Sequence, residues 1–207
     1  MKNLVLAMLA VIFMAGTVLA NGEVNAGLGL ALGGTVKADR SMSAGLGPPE
    51  SNSESAQIGG ISLYGEYLYL INDIIKVGGG LQYLIEREVA DVLDVESSKF
   101  SYLPIYLTVQ VNPINAAKEI FLKGNIGYNL LFTDSIVKGY GPGVDRDEKG
   151  GLYYGISAGY EFLFGLVASV SYDVYSSETK YSIGGNYDKF EYTYSIIGLN
   201  VGYKFKI

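Results

Sequence analysis

The sequence predicts an all-β chain, an eight-stranded antiparallel up-and-down transmembrane β-barrel with lipid against its outer face. Three observations predict it. Apolar residues recur at every second position in eight separate segments, long polar connections alternate with short turns between those segments, and aromatics gather at two levels of the alternating rows.

Residues 1–20 read as a secretory signal peptide rather than as fold. Lys2 supplies the positive start, Leu4 to Met14 the apolar stretch, and Val18-Leu19-Ala20 the small-residue cleavage site, so residues 21–207 form the expected barrel domain. The rival is an uncleaved membrane helix, but Ala, Gly and Thr dilute the end of the apolar run. No cysteine is present, which excludes disulfides and thiolate metal ligation.

Composition narrows the class further. The chain has 28 Gly and 18 Tyr, no Trp and no His, and only 17% charged residues, less charge than a water-soluble domain usually carries. After residue 20 no stretch approaches the roughly 18 uninterrupted apolar residues of a spanning helix, so the apolar surplus must lie in another pattern. The net charge of −6 argues against nucleic acid as a partner.

That pattern has period two. Val24, Ala26, Leu28, Leu30 and Leu32 alternate with small or polar residues, and Ile61 to Tyr69 and Ile75 to Ile85 repeat the alternation. Leu103 to Val111 sets an apolar row against Pro104, Tyr106, Thr108 and Gln110; Leu122 to Leu130 sets one against Lys123, Asn125, Gly127 and Asn129. Tyr154 to Phe162, Leu166 to Val174 and Ile197 to Ile207 complete eight strands, an even number.

Connections carry independent information. Long segments at 34–57, 87–99, 132–149 and 176–189 alternate with short ones at Asn72-Asp73, Asn112 to Glu119 and Leu163-Phe164, the asymmetry of an outer-membrane barrel. With an exported N-terminus left in the periplasm, the long segments fall outside the cell and both mature termini inside the periplasm. Residues 34–57, rich in Ser, Gly and Pro, are expected to stay mobile rather than form a second domain, and residues 86–96 make an acidic tip. An unknown surface ligand at these segments is an open reading beside that of plain solvated connectors.

Lipid around the rows would explain the aromatics. Tyr67, Tyr69, Tyr160, Phe162, Tyr203 and Phe205 cluster near the short-turn end, and Tyr83, Tyr128, Tyr154 and Tyr172 near the other, with aliphatic residues between. In hydrocarbon an unpaired strand edge costs several kcal/mol per backbone group, so the first strand must pair with the eighth. Eight strands enclose an interior that side chains fill, which leaves no open diffusion pore. Glu66, Lys76, Glu86, Lys123, Glu161 and Asp173 are the ionisable inward positions, expected to form a structural plug with Lys123 paired to Glu161 and Glu66 to Lys76.

Catalysis finds little support. Without histidine, Ser-His and Asp-His hydrolytic centres cannot be assembled, and no catalytic or cofactor-binding residue is assigned. Asp145, Asp147 and Glu148 crowd one segment around Arg146, but the Asp-x-Asp-x-Asp-Gly calcium signature is missing, so no metal is expected there.

Leu103-Pro-Ile-Tyr-Leu-Thr-Val-Gln-Val111, Leu122-Lys-Gly-Asn-Ile-Gly-Tyr128, Gly150-Gly-Leu-Tyr-Tyr-Gly-Ile-Ser-Ala-Gly-Tyr160 and Gly198-Leu-Asn-Val-Gly-Tyr-Lys-Phe205 together resemble the OmpA/OmpX-like outer-membrane β-barrel superfamily over essentially the whole mature chain. The resemblance implies a Gram-negative cell-surface barrel, outer-membrane lipid as solvent and the barrel-assembly machinery as a partner during biogenesis. It transfers no functional residue. Family members usually end on an aromatic; this chain ends Phe205-Lys206-Ile207. The leading function is a structural or surface-interaction role through the outer loops. Two alternatives stand beside it: an OmpW-like conduit for small apolar molecules, which needs an apolar channel, and a soluble lipocalin-like periplasmic carrier, which needs the apolar rows turned inward.

Overall fold

A computed structural model describes residues 22–42, 50–56, 60–89, 98–114, 119–133, 145–183 and 186–207; the expected signal peptide lies outside them. The strands are β1 (Gly22–Met42), β2 (Glu50–Ala56), β3 (Ile61–Leu70), β4 (Ile75–Val89), β5 (Ser98–Val111), β6 (Ile120–Thr133), β7 (Asp145–Glu161), β8 (Leu166–Ile183) and β9 (Asn186–Lys206). Each pairs antiparallel with its neighbour, and β1 meets β9 from Glu23↔Lys206 to Met42↔Asp188, which closes the ring. β1 pairs with β3 over Gly22 to Leu30 and with β2 over Gly34 to Arg40, so β2 and β3 are two lengths of one stave in an eight-staved barrel. Closure leaves the membrane-level backbone with no sheet edge to satisfy.

The apolar rows face outward. Leu107, Ile156 and Ile126 are 70%, 67% and 59% exposed, whereas Tyr106, Ser157 and Gln110 on the alternate positions of the same staves are buried. This arrangement is the reverse of a soluble carrier and sets that alternative aside. Arginine at the mid-height of a lipid face costs about 2–4 kcal/mol, falling to about 0–1 kcal/mol near the interfaces. Leu107→Arg is therefore expected to lower folding stability in lipid vesicles by about 2–4 kcal/mol, and Phe205→Arg by less than half of that.

At the end away from the termini the staves run on well past the apolar belt, which corrects the expected long loops. Residues 34–42 and 50–56 are strand rather than mobile connector, and 145–149, 176–183 and 186–189 are strand as well. β8 spans 18 residues against the roughly 9–11 that cross a bilayer. Its outward row is Leu166, Ala168, Val170 and Tyr172, then Ser176, Glu178, Lys180 and Ser182, so polarity switches while pairing with β9 continues unbroken.

Three staves change face where the belt ends. The register shifts between Ala31 and Gly33 on β1, between Leu84 and Arg87 on β4, and between Gly150 and Tyr153 on β7. An extra residue in one strand inverts the alternation beyond it. Leu30 therefore faces lipid and Val36 faces the core, although both numbers are even.

Turns at the terminal end follow local chemistry. Asn72 Oδ1 accepts from the backbone N–H of Ile74 at 2.9 Å and of Ile75 at 2.8 Å, closing the β3–β4 connection through its side chain. Gly165 adopts φ 90°, a left-handed conformation suited to glycine, and donates its N–H to the Phe162 carbonyl at 2.9 Å, which turns β7 into β8.

Candidate functional site

Inward positions stack in levels along the barrel axis. At the terminal end, Lys76 Nζ lies 2.7 Å from Glu23 Oε2 and 3.1 Å from Glu161 Oε1. Lys204 bonds Glu161 Oε2 and sits 3.7 Å from Glu23 Oε1, while Gln110 Nε2 donates to Glu161 Oε1 at 2.7 Å. Two carboxylates and two ammonium groups from β1, β4, β7 and β9 form a charge-neutral lattice across the lumen.

One level farther in, Lys123 Nζ donates to both Glu66 oxygens at 2.8 Å. Tyr106 OH donates to Glu66 Oε1 at 3.0 Å, and Asn25 Nδ2 to Oε2 at 3.3 Å. Glu66 is thus fully committed, as a buried carboxylate must be.

Tyrosines fill the middle. Tyr106 and Tyr153 have ring centroids 5.3 Å apart, Tyr153 and Tyr175 5.1 Å, and Tyr175 stacks on Tyr102 at 5.5 Å with a 4° interplanar angle. Tyr194 closes the group 6.0 Å from Tyr175, and Ala31, Val36, Leu84 and Ile196 pack around it. The phenol tips find partners, Tyr102 with Ser177 Oγ at 2.9 Å and Tyr153 with Asp173 Oδ1 at 2.8 Å. Near the far rim Arg40 grips Asp188 through Nε at 3.1 Å and Nη2 at 2.7 Å, and its guanidinium lies 5.4 Å from the Phe190 ring centroid.

Five of the six sequence-predicted interior charges, Glu66, Lys76, Lys123, Glu161 and Asp173, stand on this inner wall. Their expected partners are exchanged: Lys123 pairs with Glu66, and Lys76 with Glu161. The register gives the reason. Lys123 is opposite Ser157, four residues from Glu161, and Glu66 is opposite Gly80, four residues from Lys76, a separation of about 13 Å along a strand. Lysines reach across the lumen more readily than along the wall. At Glu86, the shift between Leu84 and Arg87 interrupts the inner row on which the residue was expected; its side chain lies outside the described residues. Sequence reasoning missed Glu23, which precedes the first recognised apolar residue, and left Lys204 out of the ionisable set although its parity points inward.

Ten predicted aromatics lie on outward positions. Tyr69, Tyr160, Phe162, Tyr203 and Phe205 are exposed at the terminal end and Tyr128, Tyr154 and Tyr172 at the other, with Tyr67 and Tyr83 half-buried. The terminal ring carries edge and tilted contacts, Tyr160 with Phe162 at 4.9 Å and Tyr203 with Phe205 at 4.8 Å. Phe132 and Phe164 are exposed aromatics outside the predicted set.

The outer membrane protein beta-barrel domain family matches residues 4–205. The chain belongs to that family. Its location is accordingly the bacterial outer membrane. No curated protein sequence matches this outer membrane protein. Among solved structures it is similar to the outer membrane protein OprG from Pseudomonas aeruginosa, at 16% identity over 91% of this chain and 97% of that one, with a TM-score of 0.58. It is likewise similar to the outer membrane protein AlkL, at 15% identity over 91% of this chain and 92% of the other, with a TM-score of 0.56. Both likenesses concern fold.

Beyond its belt, this outer membrane barrel presents a polar sheet in the order β2-β1-β9-β8-β7. Hydroxyl and charge pairs cross it, Thr35 with Ser195 at 2.8 Å and Lys189 with Glu178 at 3.0 Å, and Lys149 pairs with Asp147 along β7 at 2.8 Å. Hydrogen bonds from Ser51 and Lys37 hold the Asp39 carboxyl below its usual range, and bonds to Glu191 and Glu178 raise Lys189. Both groups therefore stay charged at neutral pH, and the sheet presents both signs to water.

Proposed function

We propose that this protein is a closed outer-membrane barrel that makes its contacts through the protruding polar sheet, with residues 1–20 removed as a signal peptide and both mature termini in the periplasm. The observation that carries this reading is a lumen occupied at every level, by the Lys76–Glu161 lattice, the Glu66–Lys123 pair and the tyrosine group. A solute could cross the lumen only by unpacking these contacts. Strands that continue beyond the belt supply a rigid platform for surface contacts, whereas a barrel needed only as a membrane seal has no use for them. An apolar conduit would require an apolar lining, and the inward Glu66, Lys76, Gln82, Gln110, Lys123 and Asn125 supply a polar one. The chain has no histidine, and among the described residues the inward carboxylates are engaged in structural pairs, which supports a non-enzymatic reading.

Two measurements test the reading. In planar bilayers the protein is expected to give no stepwise conductance, and regular single-channel steps would refute closure. Whole cells treated with protease should lose fragments cut only at the end away from the termini; cuts at Leu163-Phe164 in intact cells would reverse the orientation.

A further inference from the structure

The barrel wall is notched at its terminal end. β8 begins at Leu166, opposite Tyr203, whereas β9 runs on to Lys206, where its other side still pairs with Glu23 of β1. The turn from β7 into β8 forms the second lip of the notch. A cleft of about 520 Å3 opens between them, its apolar wall made by Phe162, Leu163, Phe164 and Tyr203 and its charged wall by Glu119, Glu161, Lys204 and Lys206. That volume lies within the roughly 300–1,000 Å3 of small-molecule sites.

The apolar wall continues the lipid face. On β7 the exposed outward row runs from Leu152 through Ile156 and Tyr160 to Phe162. At about 3.4 Å per residue and a tilt of about 40°, that row alone spans the roughly 25 Å apolar band of such barrels. Leu163 and Phe164 lie past it, at headgroup depth, yet they are 97% and 65% exposed. Bulk water around that turn would leave both side chains unburied; the boundary between headgroups and acyl chains covers them.

The charges sum to zero. Lys204 and Glu161 bond each other and belong to the lumen lattice. Glu119 stands beside Glu161, whose backbone N–H donates to the Glu119 carbonyl at 2.8 Å. Among the described residues neither the Glu119 carboxylate nor the exposed Lys206 ammonium forms an ion pair, so the cleft offers one group of each sign.

We propose that this cleft binds a phospholipid with a zwitterionic, amine-bearing headgroup, its phosphodiester against Lys206, its ammonium on the Glu119 side and its acyl chains over Phe162, Phe164 and Tyr203. An ammonium donor and an ionised phosphate oxygen make a strong, charge-assisted hydrogen bond. The lipid belongs to the inner leaflet, which rests on the periplasmic placement of the termini proposed above.

The test uses the mature barrel refolded in a glucoside detergent, which carries no phosphate, with phosphatidylethanolamine or phosphatidylglycerol of identical chains added, and counts retained lipid by native mass spectrometry. One phosphatidylethanolamine per barrel is expected, held about fivefold better than phosphatidylglycerol. Lys206→Ala should lower retention about fivefold, Lys206→Arg should restore it, and Lys37→Ala, at the opposite end, should leave it unchanged. Inorganic phosphate at the lipid's concentration should not displace it. No retained lipid, stronger retention of phosphatidylglycerol, retention indifferent to Lys206→Ala, or displacement by phosphate alone would each overturn the proposal. If Lys206→Ala does not refold, Phe164→Ser decides: weaker retention supports the site, and unchanged retention refutes it. A micelle has no sides, so these outcomes are independent of the orientation that whole-cell proteolysis decides.

Discussion

Lys123→Ala is expected to destabilise the barrel by about 3–5 kcal/mol. Glu66 is among the most deeply buried side chains of the lumen, and Lys123 is the cation that neutralises it through both oxygens at 2.8 Å. Truncating the lysine leaves a carboxylate with only the Tyr106 hydroxyl and the Asn25 amide as donors. Those are two neutral hydrogen bonds against the desolvation of a full charge, and desolvation wins. Neutralising both partners changes the sign of the argument, because no buried charge then remains. Glu66→Gln combined with Lys123→Met should recover most of the loss, so the double-mutant cycle should show a coupling far larger than for an exposed pair such as Lys37 and Asp39. Urea-induced unfolding in detergent, read by circular dichroism because the chain has no tryptophan, measures each corner. An unchanged midpoint for Lys123→Ala would show that the pair contributes nothing to stability.

The exchange of partners in that pair marks where sequence reading reaches its limit. Parity along a strand places Lys123, Glu66, Lys76 and Glu161 on the inner face, because only two faces exist. Which lysine meets which acid depends on the stagger between staves and on reach across the lumen, neither of which is encoded locally. Strand length was hidden for two different reasons. On β1, β4 and β7 the bulges invert the alternation, so the apolar row ends at Leu32, at Ile85 and near Leu152 although the strands continue. On β8 alternation persists through Ser176, Glu178 and Lys180, but without apolar residues in that outward row it resembles a polar loop. Lipid contact makes the periodicity readable; once the outer row turns polar, the buried inner row of Thr179, Tyr181 and Phe190 no longer stands out against it.

The tyrosine group shows the same limit from the inside. Tyr102, Tyr106, Tyr153, Tyr175 and Tyr194 come from β5, β7, β8 and β9, and as sequence they differ little from the tyrosines on the outer face. Tyr153 faces the core and Tyr154 faces lipid, one residue apart. Seven of the eight staves contribute to the combined polar and aromatic filling at this height, since Ser62 on β3 and Gln82 on β4 join through a 3.0 Å hydrogen bond and Asn125 on β6 donates to the Tyr153 hydroxyl at 3.5 Å. Closing the lumen therefore depends on the whole ring, while the lipid face is set stave by stave.

Tyr175→Ala carries the second large expected effect, a loss of about 3–5 kcal/mol, the range for removing a buried aromatic ring. The ring is fully buried and touches Tyr102, Tyr153 and Tyr194, so its neighbours cannot collapse into the void without leaving their own stacking. Its hydroxyl also donates to Gln82 Oε1 at 3.4 Å, a long bond whose loss adds little beside the cavity. Tyr175→Phe separates the two contributions and should cost less than about 1.5 kcal/mol. The same pair of variants tests how the barrel is sealed. If the tyrosine group is the seal, Tyr175→Ala should admit small ions that the parent excludes, seen as a raised leak in liposomes loaded with a chloride-sensitive dye, while Tyr175→Phe stays tight. A tight Tyr175→Ala barrel would place the seal at the Lys76–Glu161 lattice instead, where two lysines and two glutamates close the lumen without any aromatic ring.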